Sequence, residues 1–266
     1  MTVSKRALLF ISLGLIALHW AYQLIDFPAT PVIPASFAEL ARQIIINKVV
    51  LFAILVLLLQ LEEHGWQGVG VTRRDWGRHM AIGIGLGLAM FFVLNVALTA
   101  VLEAFFPRPA QHGPTILSFF AQWSNLLIWL PIGIFGGGVV EELERIFVLT
   151  RFERWLGRPG LILAVVLTSV MFGLGHLYQG VAVALSTAVS GLVFSLVFLR
   201  RRSALEVMAA HAFSDVVAMI AGAILAHTAP SHLAWSSTSC VPTPAYAVHA
   251  GPCQAGVDTP PRFFRS

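Results

Sequence analysis

Met80-Ala81-Ile82-Gly83-Ile84-Gly85-Leu86-Gly87-Leu88-Ala89-Met90-Phe91-Phe92-Val93-Leu94-Asn95-Val96-Ala97-Leu98-Thr99-Ala100-Val101-Leu102 carries no charged side chain from end to end. At a rise of ~1.5 Å per residue, a helix of this length crosses the ~30 Å hydrocarbon layer of a bilayer. Similar apolar runs lie near 7–26, 44–61, 117–138, 161–178, 180–199 and 204–228. Lipid offers no water to backbone N–H and C=O groups, so each run is expected to be helical. The breaks between them hold the polar and proline residues, as in Asp26-Phe27-Pro28 and Arg151 to Gly160. Across the 266 residues, 57% are hydrophobic and only 11% charged, with a mean hydropathy of +0.80. Soluble domains carry roughly 25% charged residues. The expected fold is all-α: a polytopic membrane helical bundle of about seven, or eight, transmembrane helices.

The net charge of +4 does not point to nucleic acid, because the basic residues fall in short clusters between apolar runs. Lys5, Arg6, Arg73, Arg74, Arg78, Arg151, Arg154, Arg158, Arg200, Arg201 and Arg202 fall on one side of the seven-span topology. The other side has Arg42, Arg108, Arg262 and Arg265. Basic loops stay inside, which predicts a multi-pass protein of the cell (inner or plasma) membrane with a cytoplasmic N-terminus and an external C-terminus. The first apolar run has no clear small-residue cleavage site and is read as an uncleaved span. Residues 229–266 lack helical periodicity and are expected to be loosely ordered. Their two cysteines, Cys240 and Cys253, would be able to pair in an oxidising compartment. The fourth run leaves two readings open. Either its helix bends at Gly136-Gly137-Gly138, or the span shifts toward 125–150.

A charged side chain inside a membrane helix costs at least ~2.5–3.5 kcal/mol, so such residues are functional candidates. One group is Glu141, Glu142, Glu144 and Arg145, where the arginine is four residues from Glu141 and three from Glu142. Both spacings share a helix face. Another is His176, one turn after Phe172, with Gly173 and Gly175 allowing a neighbouring helix close. The third is His211 with Asp215, where the carboxylate is placed to orient the imidazole. Glu206 lies nearer the end of its helix and is expected to be solvated. Each group by itself has a plain structural explanation, as an interfacial turn or an interhelical polar pair. Acids and two histidines on three helices together make a constellation.

A carboxylate that activates water, with imidazoles serving the tetrahedral oxyanion, suits peptide hydrolysis. Other intramembrane protease signatures are missing: no His-Glu-x-x-His helix, no Gly-x-Ser-x-Gly turn and no Gly-x-Gly-Asp occurs. No cofactor is called for. Zinc is compatible with two histidines and a glutamate, but nothing in the spacing requires it.

The order Glu141-Glu142…Arg145, then Phe172-x-x-x-His176, then His211-x-x-x-Asp215 resembles the CPBP family, the type II CAAX prenyl and bacteriocin-processing (Abi) membrane proteases. His176-Leu177-Tyr178-Gln179-Gly180 and Gly70-Val71-Thr72-Arg73-Arg74 are further family-like segments. The resemblance implies N-terminal membrane helices over 1–114, a CPBP-like core over 115–228 and the tail beyond. It implies an intramembrane endopeptidase acting on membrane-associated or lipidated protein substrates. Glu141, Glu142, Arg145, His176, His211 and Asp215 would be catalytic, and Phe172 would line the substrate site. The partners implied are a membrane-associated protein or peptide and the bilayer, with no nucleic acid. The family has been described as metal-dependent and as glutamic, and the metal-free reading is favoured.

One departure stands out. The family motif is Glu-Glu-x-x-x-Arg, and here the arginine arrives one residue early. Either Glu141-Glu142 is the family pair and the arginine has moved by ~100° around the helix, or Arg145 is in register and only Glu141 matches. Glu141 survives in both. Two other functions remain open: a non-catalytic relative that binds or stabilises membrane partners, and a proton-coupled transporter relaying through Glu141, His176 and Asp215.

Overall fold

The structure, a computed structural model, describes residues 5–25, 36–62, 65–72, 74–107, 116–120 and 122–228. The tail with Cys240 and Cys253 lies outside the described residues. Among those described, all regular structure is helical. The long elements are α1 (Lys5–Ile25), α2 (Phe37–Leu61), a single turn α3 (Gly65–Gly68), and α4 (Trp76–Phe105). After a short α5 (Ile116–Phe119) comes a run over Trp123–Leu174, then Val181–Arg201 and Ala204–Thr228.

The 52-residue run is far too long for one crossing. Gly157 breaks it, with φ 63 and ψ −147, a conformation open to glycine and costly for other residues. Pro159 follows in the first turn of the next helix, where its missing N–H leaves no bond unmade. The run is therefore two helices, α6 over 123–156 and α7 over 158–174, followed by α8 (Val181–Arg201) and α9 (Ala204–Thr228). Five of the assigned runs are long and apolar enough to span a membrane, and α1 contributes a shorter apolar stretch, Phe10–Ala21. The chain is a multi-pass membrane protein, and among the described residues its bundle has the seven long helices expected from the apolar runs. Large hydrophobic side chains such as Leu18, Phe105 and Leu127 point outward, as lipid contact requires.

Backbone approach sets the packing. Between lipid-immersed helices there is little hydrophobic driving force, so small residues at the contact supply close van der Waals packing. A Cβ on Gly83 would lie 2.6 Å from Ala209 Cβ, and one on Gly87 only 2.3 Å from the carbonyl oxygen of Ala210. Those two glycines bring α4 onto α9 beside His211. Gly173 brings α7 onto Ala184 and Ala188 of α8 in the same way. The α6 segment itself widens after Pro131: Ile132–Glu141 is a π-helix, ending at the first of the paired glutamates. Gly136, Gly137 and Gly138 lie within a helical run that continues from Trp123 past Glu141.

Ion pairs tie the ends of the helices together where the arginine-rich segments meet. Arg151 bonds to Glu62 through both Nε and Nη2, and Arg202 holds Glu153 in a fork at 2.6 Å. Glu206, expected to be solvated, is instead fully buried. Arg201 grips it from α8 and His79 Nδ1 reaches Oε1 at 2.7 Å from α4. A carboxylate held by a guanidinium and an imidazole can lose its water without being left bare. The Gly70 segment docks on the same end, with Gly70 O accepting from Ala204 N at 3.2 Å.

Gly87→Ala should lower the thermal unfolding temperature of the purified protein, because the added methyl meets backbone that cannot yield. Overpacking of this kind costs ~1–3 kcal/mol. Gly85→Ala, where a Cβ meets nothing within 4 Å, should be neutral or slightly stabilising. Equal melting of the two variants would contradict the packing described.

Candidate active site

Glu142 is completely buried and Arg145 is 3% exposed. They bond to each other one turn apart on α6. The same oxygen of Glu142 accepts from His211 Nδ1 of α9 at 2.7 Å. An ionised carboxylate can only accept, so Nδ1 carries the hydrogen. Arg145 also lies over the Phe172 ring at 4.4 Å and the Phe194 ring at 5.5 Å. Phe194 stacks on His211 with centroids 4.8 Å apart. The arginine therefore meets a carboxylate in front and two aromatic faces beside it, the surroundings in which a guanidinium is best accommodated away from water.

Glu141 turns to another side. Its Oε1 is 2.7 Å from Lys48 Nζ on α2, and its Oε2 is 3.9 Å from His211 Nε2. Asp215, one turn along α9, places Oδ2 3.6 Å from the same Nε2. Space for that carboxylate comes from Gly137, where a Cβ would stand 2.4 Å from Asp215 Oδ2. Glu144 faces away from this group and accepts from the Trp20 indole of α1 at 2.7 Å.

His176 lies just past the end of α7. Its Nδ1 donates to the Phe172 carbonyl at 2.9 Å, which leaves Nε2 as the acceptor of the neutral ring. The Phe172 ring packs edge-on to both imidazoles, 5.0 Å from His176 and 5.5 Å from His211. The three separate groups of the sequence thus converge around one aromatic ring. The early arginine does not separate the pair: Glu142 takes Arg145 and His211, while Glu141 is left facing His211 Nε2 and Lys48.

Two members of the site were not found from sequence. Lys48 lies inside the apolar run 44–61 and has no oppositely charged residue one helical turn away to suggest a role. Phe194 carries no polar signal at all. Among the described residues, no three His, Cys, Asp or Glu side chains stand where they would ligate one metal ion. The donors are spent differently: Glu142 on Arg145 and His211, and one oxygen of Glu141 on Lys48.

The structure is an all-helical membrane bundle that gathers acids and histidines from separate helices. Residues 122–217 match the family described as Type II CAAX prenyl endopeptidase Rce1-like. That segment contains Glu141, Glu142, Arg145, Phe172, His176, His211 and Asp215, and leaves Lys48 outside. No curated protein and no solved structure gives a significant match to the chain.

Arg145→Ala should cost ~3–5 kcal/mol, as expected when one partner of a buried ion pair is removed. The readout is the yield and melting temperature of folded protein. Arg145→Lys should recover only part of the loss, since an ammonium cannot keep both the carboxylate contact and the two ring faces. Full recovery with lysine would show that charge alone matters there.

Proposed function

We propose that the protein is an intramembrane endopeptidase that hydrolyses peptide bonds of membrane-associated or lipidated protein substrates with water activated by Glu141. The observation that supports it most is the division of the two glutamates. Glu142 is fully buried, with Oε1 held by Arg145 and His211 and Oε2 sealed off without a partner, whereas Glu141 is 17% exposed and its Oε2 makes no hydrogen bond among the described residues, with His211 Nε2 3.9 Å away. A base needs an oxygen that is not already a structural acceptor.

Water held between Glu141 Oε2 and the acceptor Nε2 of His176 gives its proton to Glu141 as its oxygen adds to the substrate carbonyl carbon. The carbonyl π electrons move onto oxygen and form the tetrahedral oxyanion. His211, acting as an imidazolium held by Glu142 at Nδ1 and flanked by Asp215, donates from Nε2–H to that oxyanion. The C–N bond then breaks, and the proton on Glu141 passes to the leaving nitrogen. The products are a carboxylic acid and an amine, between which the remaining water proton passes to give a carboxylate and an ammonium, and Glu141 is regenerated. Glu142, Arg145 and Asp215 hold His211 in place, and Phe172 forms the wall against which the substrate lies. No step here requires a metal ion. The distribution of basic clusters supports a cell-membrane location with the N-terminus in the cytoplasm and the C-terminus outside.

Glu141→Gln keeps the volume of the side chain and removes the base. It should abolish cleavage of a reporter membrane substrate, a loss of at least ~100-fold, with membrane expression unchanged. Wild-type cleavage by Glu141→Gln would end the role assigned to Glu141. A wild type inactive on a broad panel of membrane substrates would favour a non-catalytic relative that holds partners.

A further inference from the structure

The cation on α2 lies far from the family segment in sequence, yet it touches the residue proposed as the base. Lys48 and Glu141 are each 17% exposed, and their 2.7 Å contact joins two membrane-spanning helices. The surroundings are shaped for it. A Cβ on Gly136 would press on Lys48 Cγ at 3.2 Å, so the glycine leaves the path of the lysine stem open. One turn along α2, Phe52 meets Phe135 edge-on at 4.9 Å, which fixes the height of α2 against the π-helix beside Gly136. Glu141 is thus held at one oxygen by Lys48 and offers the other toward His211. Arg145 cannot substitute, because it is committed to Glu142 and to two rings.

We propose that Lys48 is a positioning residue of the site: its ammonium anchors Oε1 of Glu141, so that Oε2 is the oxygen presented to the reacting water. The inference rests on the protease reading given above. A carboxylate free to turn about its last bond would spend much of its time with neither oxygen aimed at the water. Anchoring one oxygen removes that freedom before the substrate arrives. It also gives the second acid of the Glu141-Glu142 pair its own counter-charge, which an acid cut off from bulk water needs. The effect on rate therefore falls on turnover and leaves substrate binding nearly untouched.

The test uses the purified full chain in detergent, with steady-state cleavage of a reporter membrane substrate and thermal unfolding measured side by side. Lys48→Met should lower kcat by about tenfold or more with KM within about twofold, as expected for a group that acts through the base. Lys48→Arg should restore part of kcat. Gly136→Ala keeps the charge but crowds the stem, and should lower kcat severalfold. In unfolding, Lys48→Met combined with Glu141→Gln should melt above Lys48→Met alone, because the second change removes the acid left without its cation. Unchanged kcat in Lys48→Met, or strictly additive melting shifts, would overturn the role of Lys48 while leaving the protease reading intact. If Lys48→Met does not fold, Gly136→Ala decides, and wild-type kcat in that variant overturns the proposal. Coupled melting in a wild-type protein that cleaves nothing would overturn both the positioning role and the protease reading.

Discussion

The bond from Glu142 to Arg145 and His211 is the constraint on which the rest of the site depends. A carboxylate with no exposed surface needs its charge answered within the protein. Arg145 answers it from the same helix and His211 from another, so α6 and α9 must lie at one fixed distance and rotation. That requirement explains the small residues nearby. Gly138 rests on Ala212, and Gly137 yields its side-chain space to Asp215. Gly83 and Gly87 press α4 against the outer side of the same α9 turn. Larger residues at these places would pull the acid away from its partners. The aromatic rings of Phe172 and Phe194 then close the arginine off from lipid.

Much of this was legible in the sequence, for a physical reason. Bilayer thickness imposes a length on every apolar run, and the expense of buried charge makes Glu141, Glu142, His176, His211 and Asp215 conspicuous. Four-residue spacing also told truly that His211 and Asp215 share a face and that Phe172 lies against His176. Spacing could not tell which glutamate would take Arg145. Glu141 and Glu142 are both within one turn of it, and only the position of α9 and α2 separates their roles. The π-helix over Ile132–Glu141 was equally hidden, since no residue pattern marks a widened turn. Glu206 was misread because its partners, His79 and Arg201, come from other helices. Lys48 was passed over for the same reason: its meaning lies in a contact made across the bundle.

The π-helix also bears on the early arginine. Widened turns are frequent where a helix must aim a functional side chain. Here the segment delivers Glu141 and Glu142 to different neighbours although they are adjacent in sequence. The one-residue shortening of the motif therefore leaves a structure in which both acids are partnered. Arg145 still reaches a glutamate, a histidine still reaches the same glutamate, and the second acid finds a lysine.

That the charges of α6 are answered from α1 and α2 has a bearing on modularity. Trp20 caps Glu144 and Lys48 answers Glu141, and both lie before residue 122, where the family segment begins. A chimera that transplanted residues 122–217 onto the leading helices of a relative would import two acids without their partners. The heritable unit of this protein is consequently larger than its recognisable motif block. Its leading helices and its core are expected to be exchanged, lost or retained together.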